Sequence, residues 1–128
     1  MLRLFSALPL LAAFALPAAA AEEVDHGDPV AVLDAVFAAA RDGDDSALAG
    51  LCDPTGDGDG DTKMICGMKA DSDDWGEMEK YFAKGKIDGE ASIEGDEAAV
   101  PFLFGPDGTR DETMNLIRRD GKWYLSSF

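Results

Sequence analysis

Between residues 30 and 41 the apolar positions recur at helical spacing. Val30, Leu33 and Phe37 share one face, and Val32, Val36 and Ala40 widen it. Asp28-Pro29 in front supplies an N-cap and a first-turn proline, and Gly43 behind supplies a left-handed stop. The pattern predicts a well-buried first helix, preceded by a polar, frayed segment over residues 22–27. A shorter helix is expected over residues 45–52 (DSALAGLC), capped by Asp45 or Ser46, with Leu48 and Leu51 turned inward. A third is expected over residues 71–85. Asp71 or Ser72 is its cap, acids crowd the first turn where the macrodipole favours them, Trp75, Met78 and Phe82 line one face, and Gly85 ends it.

After Gly85 the period changes from helical to alternating. Four short runs, KIDGEASI, EAAVPFLF, TMNLIRR and KWYLSSF, are separated by Gly- and Asp-rich turns. Asp120-Gly121 lies between two alternating runs, the strongest local signal for a hairpin, and its register should pair Leu116 with Leu125, Ile117 with Tyr124 and Arg118 with Trp123. Pro101 lacks an amide hydrogen, so its run should lie at a sheet edge or carry a bulge. Helices first and an antiparallel meander afterwards define an α+β fold, with the N-terminal helices packed on one face of a curved sheet.

Residues 1–21 (MLRLFSALPLLAAFALPAAAA) differ in kind from the rest. One basic residue, an apolar stretch interrupted by Pro9 and Pro17, and a small-residue run ending at Ala21 match a secretory leader better than a membrane span. The expected organisation is therefore a signal peptide, 1–21, and one α+β domain, 22–128, exported to the periplasm or the extracellular space. The whole chain carries a formal charge of −15, and the leader takes away Arg3 but no acid, leaving −16 on the mature side chains. Such a surface argues against nucleic acid and against anionic lipid, both of which need basic side chains, and the mature chain should not insert into a membrane. It attracts cations and basic proteins, or simply keeps the chain solvated.

The two cysteines, Cys52 and Cys66, can form a single disulfide in an exported chain. It closes a 15-residue loop and contributes about 3 kcal/mol through the unfolded state. Their spacing is not that of a redox Cys-x-x-Cys pair. Between them Asp53, Asp57, Asp59 and Asp61 alternate with glycines in a way that suggests a calcium loop. Calcium requires six to eight oxygens, and loops of this kind close on a bidentate Glu at position 12. Counted from Asp57 that position is Met68, and counted from Asp53 it is Met64. The loop is thus either a weak calcium site, with no other cofactor expected, or a glycine-rich turn whose aspartates cap and solvate the backbone.

A search for catalysis finds little. His26 is the single histidine and lies in the polar N-terminal segment, and no Gly-x-Ser-x-Gly, His-Glu-x-x-His or phosphate-loop motif occurs. An acid and base pair among 26 acids has no distinguishing mark. Phe37, Phe82, Phe102 and Phe104 are candidates for core or for the walls of a pocket.

The order of elements, with PVAVLDAVFAAARDGDDSALAGLC at one end and MNLIRRDGKWYLSSF at the other, resembles the nuclear-transport-factor-2-like superfamily, the cystatin-like α+β cone, and within it the small exported members of unknown function. The resemblance implies a curved sheet wrapped about a long helix, a cone-shaped pocket and a homodimer through the sheet. Enzymes of that superfamily set a tyrosine and carboxylic acids in the pocket, where burial raises a base's pKa or keeps an acid neutral. The first predicted helix here has no tyrosine, so no catalytic position carries over. The expected function is a non-catalytic binding or accessory domain for an unknown small molecule or protein. The alternatives are a small pocket enzyme of isomerase or cyclase type and a weak calcium-binding module.

Overall fold

A computed structural model describes residues 23–128. The expected leader lies outside the described residues. Helix α1 spans Pro29–Asp42 and is closed as expected at both ends. Asp28 accepts the Val30 N–H through its side chain, and Gly43 takes the left-handed conformation at φ 65°. Its face of Val32, Leu33, Val36 and Phe37 is fully buried.

The stretch expected to form a second helix is instead a turn and a short 3-10 helix, Leu48–Gly50. Leu48 and Leu51 do point inward, but neither Asp45 nor Ser46 caps a helix: Asp45 Oδ2 accepts the Ala70 N–H at 2.7 Å, and Asp44 Oδ1 accepts the Ser46 N–H. The Leu51 carbonyl is drawn away to accept the Leu125 N–H at 2.7 Å, so the chain leaves helical geometry to meet the sheet.

Helix α2, Gly60–Gly67, was not anticipated from the pattern. Asp59 caps it, and Thr62, Ile65 and Cys66 form its buried face. Helix α3 is shorter than expected, Trp75–Phe82, and its start is not held by Asp71 or Ser72. Ser72 Oγ donates to the Lys69 carbonyl, and Asp74 precedes the helix without a side-chain cap bond. Trp75, Met78 and Phe82 are buried as the stripe implied. Gly85 lies beyond the helix end for a packing reason: a Cβ there would meet Phe37 Cδ1 at 2.2 Å.

Five strands follow, β1 (Lys86–Ile87), β2 (Ser92–Glu94), β3 (Glu97–Phe104), β4 (Arg110–Arg119) and β5 (Lys122–Ser127). They form a curved, unclosed antiparallel sheet in the order β1-β3-β4-β5, with β2 also on β3 beyond the end of β1. The α+β reading therefore holds. The last hairpin has the expected register, Leu116↔Leu125, Ile117↔Tyr124 and Arg118↔Trp123, and Asp120 and Gly121 both adopt positive φ, 51° and 78°, which that tight turn demands. Pro101 lies in β3, an interior strand, but opposite a break. The Asp88 N–H donates to the Pro101 carbonyl, Pro101 can return nothing, and the chain bulges through residues 88–91 before β2 resumes pairing at Ser92↔Ala99.

Ala98, Val100, Phe102, Met114, Leu116, Trp123 and Leu125 form the buried face of the sheet and pack with α1 into one core cluster. Burying Phe37 and Phe102 alone is worth about 3 to 6 kcal/mol together before entropy is counted. The free side of β5 is covered by irregular chain: the carbonyls of His26 and Leu51 accept from Trp123 and Leu125, and the N–H groups of Asp53 and Asp59 donate to Leu125 and Ser126. His26 is thus anchored rather than frayed, its Nδ1 also bonding the Trp123 carbonyl at 2.8 Å. Unpaired strand edges invite association, and here two stretches of irregular chain blunt one of them.

Candidate functional site

Two places on the molecule gather chemistry. The first is the aspartate-rich loop. Asp53 is almost wholly buried, its side chain 1 % exposed, and it receives both arms of the Arg119 guanidinium, Nε and Nη2, each at 2.8 Å. The Thr55 N–H and hydroxyl also donate to it. The Arg119 hydrogen bonds hold the Asp53 carboxyl down to about 2 against the opposing effect of burial, and the same pairing raises the Arg119 pKa. Burial pushes the Asp59 carboxyl up, but the Thr62 N–H and hydroxyl and the Phe128 N–H outweigh it and leave the pKa lowered.

This geometry places the four aspartates singled out by the sequence. Asp53 belongs to an ion pair and Asp59 to a helix cap that also ties down Phe128. Asp57 lies exposed with its Oδ2 3.6 Å from Arg119 Nη2, and Asp61 is exposed in the first turn of α2. Among the described residues no group of three or more His, Cys, Asp or Glu side chains converges as metal ligands do. A calcium ion seated here would have to draw Asp53 from Arg119 and Asp59 from Thr62 and Phe128. Cys52 and Cys66 are joined, with Cα atoms 6.1 Å apart, and the bond pins the loop to the buried side of α2.

The second place is an apolar groove of about 370 Å³ at the end of the molecule where α2, α3 and the C-terminal residue meet. Helix α2 brings Met64 and Ile65, and Met68 follows at its C-cap, where the chain has turned to extended geometry. Helix α3 brings Met78, Tyr81 and Phe82. The floor is aromatic: Phe104 stacks on Phe82 with centroids 5.8 Å apart, and Phe128 meets Phe102 and Phe104 edge-on at 5.8 and 6.1 Å. Met64 is 59 % exposed, a large apolar side chain left in water beside this floor. Asp61, Glu77 and Arg110 stand at the rim.

Of the four phenylalanines proposed as core or pocket walls, Phe37 and Phe102 are fully buried core, while Phe82 and Phe104 reach both the core cluster and the groove. Sequence reasoning missed Met64, Met68, Tyr81, Arg110 and Phe128 as a group, and Arg119 as the partner of Asp53. Met64 had a signal: Thr62, Ile65 and Cys66 follow Asp59 at helical spacing, and a helix with those three inward turns Met64 out. A wider depression along α1 is floored by Ala31, Ala35 and Ala38, whose methyl groups give a ligand little to hold. A scan against protein-family models, a search of curated proteins and a search of solved structures each returned no match. Among the described residues no helix is long and apolar enough to cross a membrane.

Proposed function

We propose that the mature chain is an exported, non-catalytic binding or accessory domain built on the nuclear-transport-factor-2-like cone, and that it binds through the apolar groove between α2 and α3. The observation that carries this reading is the exposed, methionine-lined groove over a fixed aromatic floor. Apolar lining with a few polar groups at the rim is the usual character of a binding cleft, and its volume falls at the small end of the range for such sites. The interior supports binding over catalysis. Phe37, Val100, Phe102 and Met114 fill the space between α1 and the sheet, and the groups whose pKa values are clearly shifted, Asp44, Asp53, Asp59 and Arg119, serve a turn, an ion pair and a helix cap.

A neutral solvatochromic dye such as Nile red tests the reading on the mature protein. Saturable binding with a blue-shifted emission is expected, and Met64→Glu, which sets a charge at an already exposed position, should abolish it without changing the melting temperature. Unsaturable binding, or equal binding by the variant, overturns the groove. Pairing of two copies through the sheet is a separate proposal. It is supported by half-buried Ala99, Leu103, Ile117 and Tyr124, which share the face opposite the core, and a monomeric mass by light scattering would reject it.

A further inference from the structure

We propose that the occupant of the groove is a basic amphipathic helix of a partner protein, an inference that rests on the groove being the binding site. Two of its accessible side chains, Met64 and Met68, are thioethers, with a third, Met78, buried beneath them. Unbranched and polarisable, the two accessible methionines mould to differing apolar side chains better than to one rigid ligand, which suits a surface that accepts the anchor residues of a peptide. The groove has room for a few such anchors and not for a folded domain, and an amphipathic helix presents them at i, i+3, i+4 and i+7.

The unpaired carboxylates at the rim and the charge of the chain around it select the sign of that helix. Asp61 on α2 and Glu77 on α3 are exposed and make no salt bridge among the described residues. Arg110 is the one cation among the residues that line the groove. Its guanidinium lies 5.6 Å from the Tyr81 ring centroid, and the Lys80 ammonium approaches the same ring at 5.5 Å. The two carboxylates thus stand beside two cations already held over the Tyr81 ring, and behind them stands a chain with a formal charge of −15, which tips the balance. A lysine- or arginine-rich helix is drawn in by that field and finds two unpaired carboxylates on arrival, whereas an acidic helix, an anionic lipid surface or a second copy of this acidic chain meets repulsion.

The test uses three labelled peptides that share leucines at i, i+3, i+4 and i+7 and differ in carrying Lys, Gln or Glu between them. Fluorescence anisotropy on the mature protein should show the Lys peptide binding about tenfold tighter than the Gln peptide at low salt, the Glu peptide weakest, and the gap closing as salt rises. The double variant Asp61→Asn, Glu77→Gln should reduce the Lys advantage severalfold, and Met64→Glu should weaken binding of the Gln peptide. Equal affinity for Lys and Gln peptides, with Nile red still bound, overturns this inference and leaves the groove reading standing. Loss of both dye and Gln-peptide binding in unmodified protein removes the groove reading itself. A Lys preference unchanged by the double variant places the attraction elsewhere on the surface and also overturns the assignment.

Discussion

Residues 53–61 and residues 71–74 are both rich in aspartate, and in sequence they look alike. In the first stretch Asp53 is buried under Arg119, Asp59 holds the start of α2 and the Phe128 amide, and a disulfide fixes both ends. In the second, Asp71, Asp73 and Asp74 are all exposed, and none caps α3 or enters an ion pair among the described residues. The difference arises from partners far away in the chain. Arg119 is 66 residues from Asp53, and Phe128 is 69 from Asp59. An acidic run becomes structural when the fold brings donors to it, and stays a solvated surface when it does not.

The largest effect should come from Arg119→Ala. It leaves Asp53 buried and charged with only Thr55 as donor, and loss of one partner from a buried pair costs about 3 to 5 kcal/mol. Asp53→Asn should cost less, because Arg119 is a third exposed and water can solvate what the carboxylate releases. Urea unfolding of both variants gives the ordering, and an Asp53→Asn loss equal to or above that of Arg119→Ala would show that the pair is not governed by burial of the acid. Cutting the covalent tie comes next. Cys52→Ser with Cys66→Ser should lower stability by about 3 kcal/mol through the unfolded chain, and an unchanged urea midpoint would mean that the ion pair and cap hold the loop alone.

What the sequence made legible follows the same division between local and distant causes. The Asp120-Gly121 hairpin could be read with its register because turn chemistry and period-two alternation act within a dozen residues. Helix α1 was legible for the same reason, from its cap, its face and its stop. Helix α2 was not, because the Asp-Gly repeat before it reads as a turn, and what holds the helix lies at a distance: the Ser126 carbonyl accepting from Asp59 N–H and the Thr62 hydroxyl, and the disulfide. Phe82 and Phe104 could be named as core or pocket, yet the groove they share is assembled from α2, α3, strand ends and the last residue, and no local pattern joins those four.

Acid should separate the two stretches next. Asp53 has its folded-state pKa depressed to about 2 from an ordinary value of 3.8, so its contribution is fully present above pH ~4 to 5 and is lost as pH falls toward 2. That loss is on the order of 2 kcal/mol. Urea midpoints measured from pH 6 to pH 2 should fall through this window, and Asp53→Asn should flatten part of the fall. An equal slope in both proteins would mean that other carboxylates carry the acid sensitivity. Asp59→Ala is smaller again. It removes the cap of α2 and an acceptor for the Phe128 N–H, for about 1 to 2 kcal/mol, and helical circular dichroism should drop with it.

The smallest effect belongs to the exposed run, where Asp73→Asn with Asp74→Asn should change stability by no more than about 0.5 kcal/mol. Two opposed contributions set that value. Acids before α3 interact favourably with the helix N-terminus, each by about 0.3 to 1 kcal/mol at low salt. They also repel each other and the rest of a chain at −15, so neutralising them relieves strain in the surface charge. Neither term is large, because α3 is held by burial of Trp75, Met78 and Phe82 and not by its cap. Raising salt should shrink whatever difference is found, since both terms are screened. Thermal melts at low and high salt decide the matter: a shift as large as that of Asp59→Ala, persisting in salt, would mean that the second run is anchored as firmly as the first, and the contrast between them would fail.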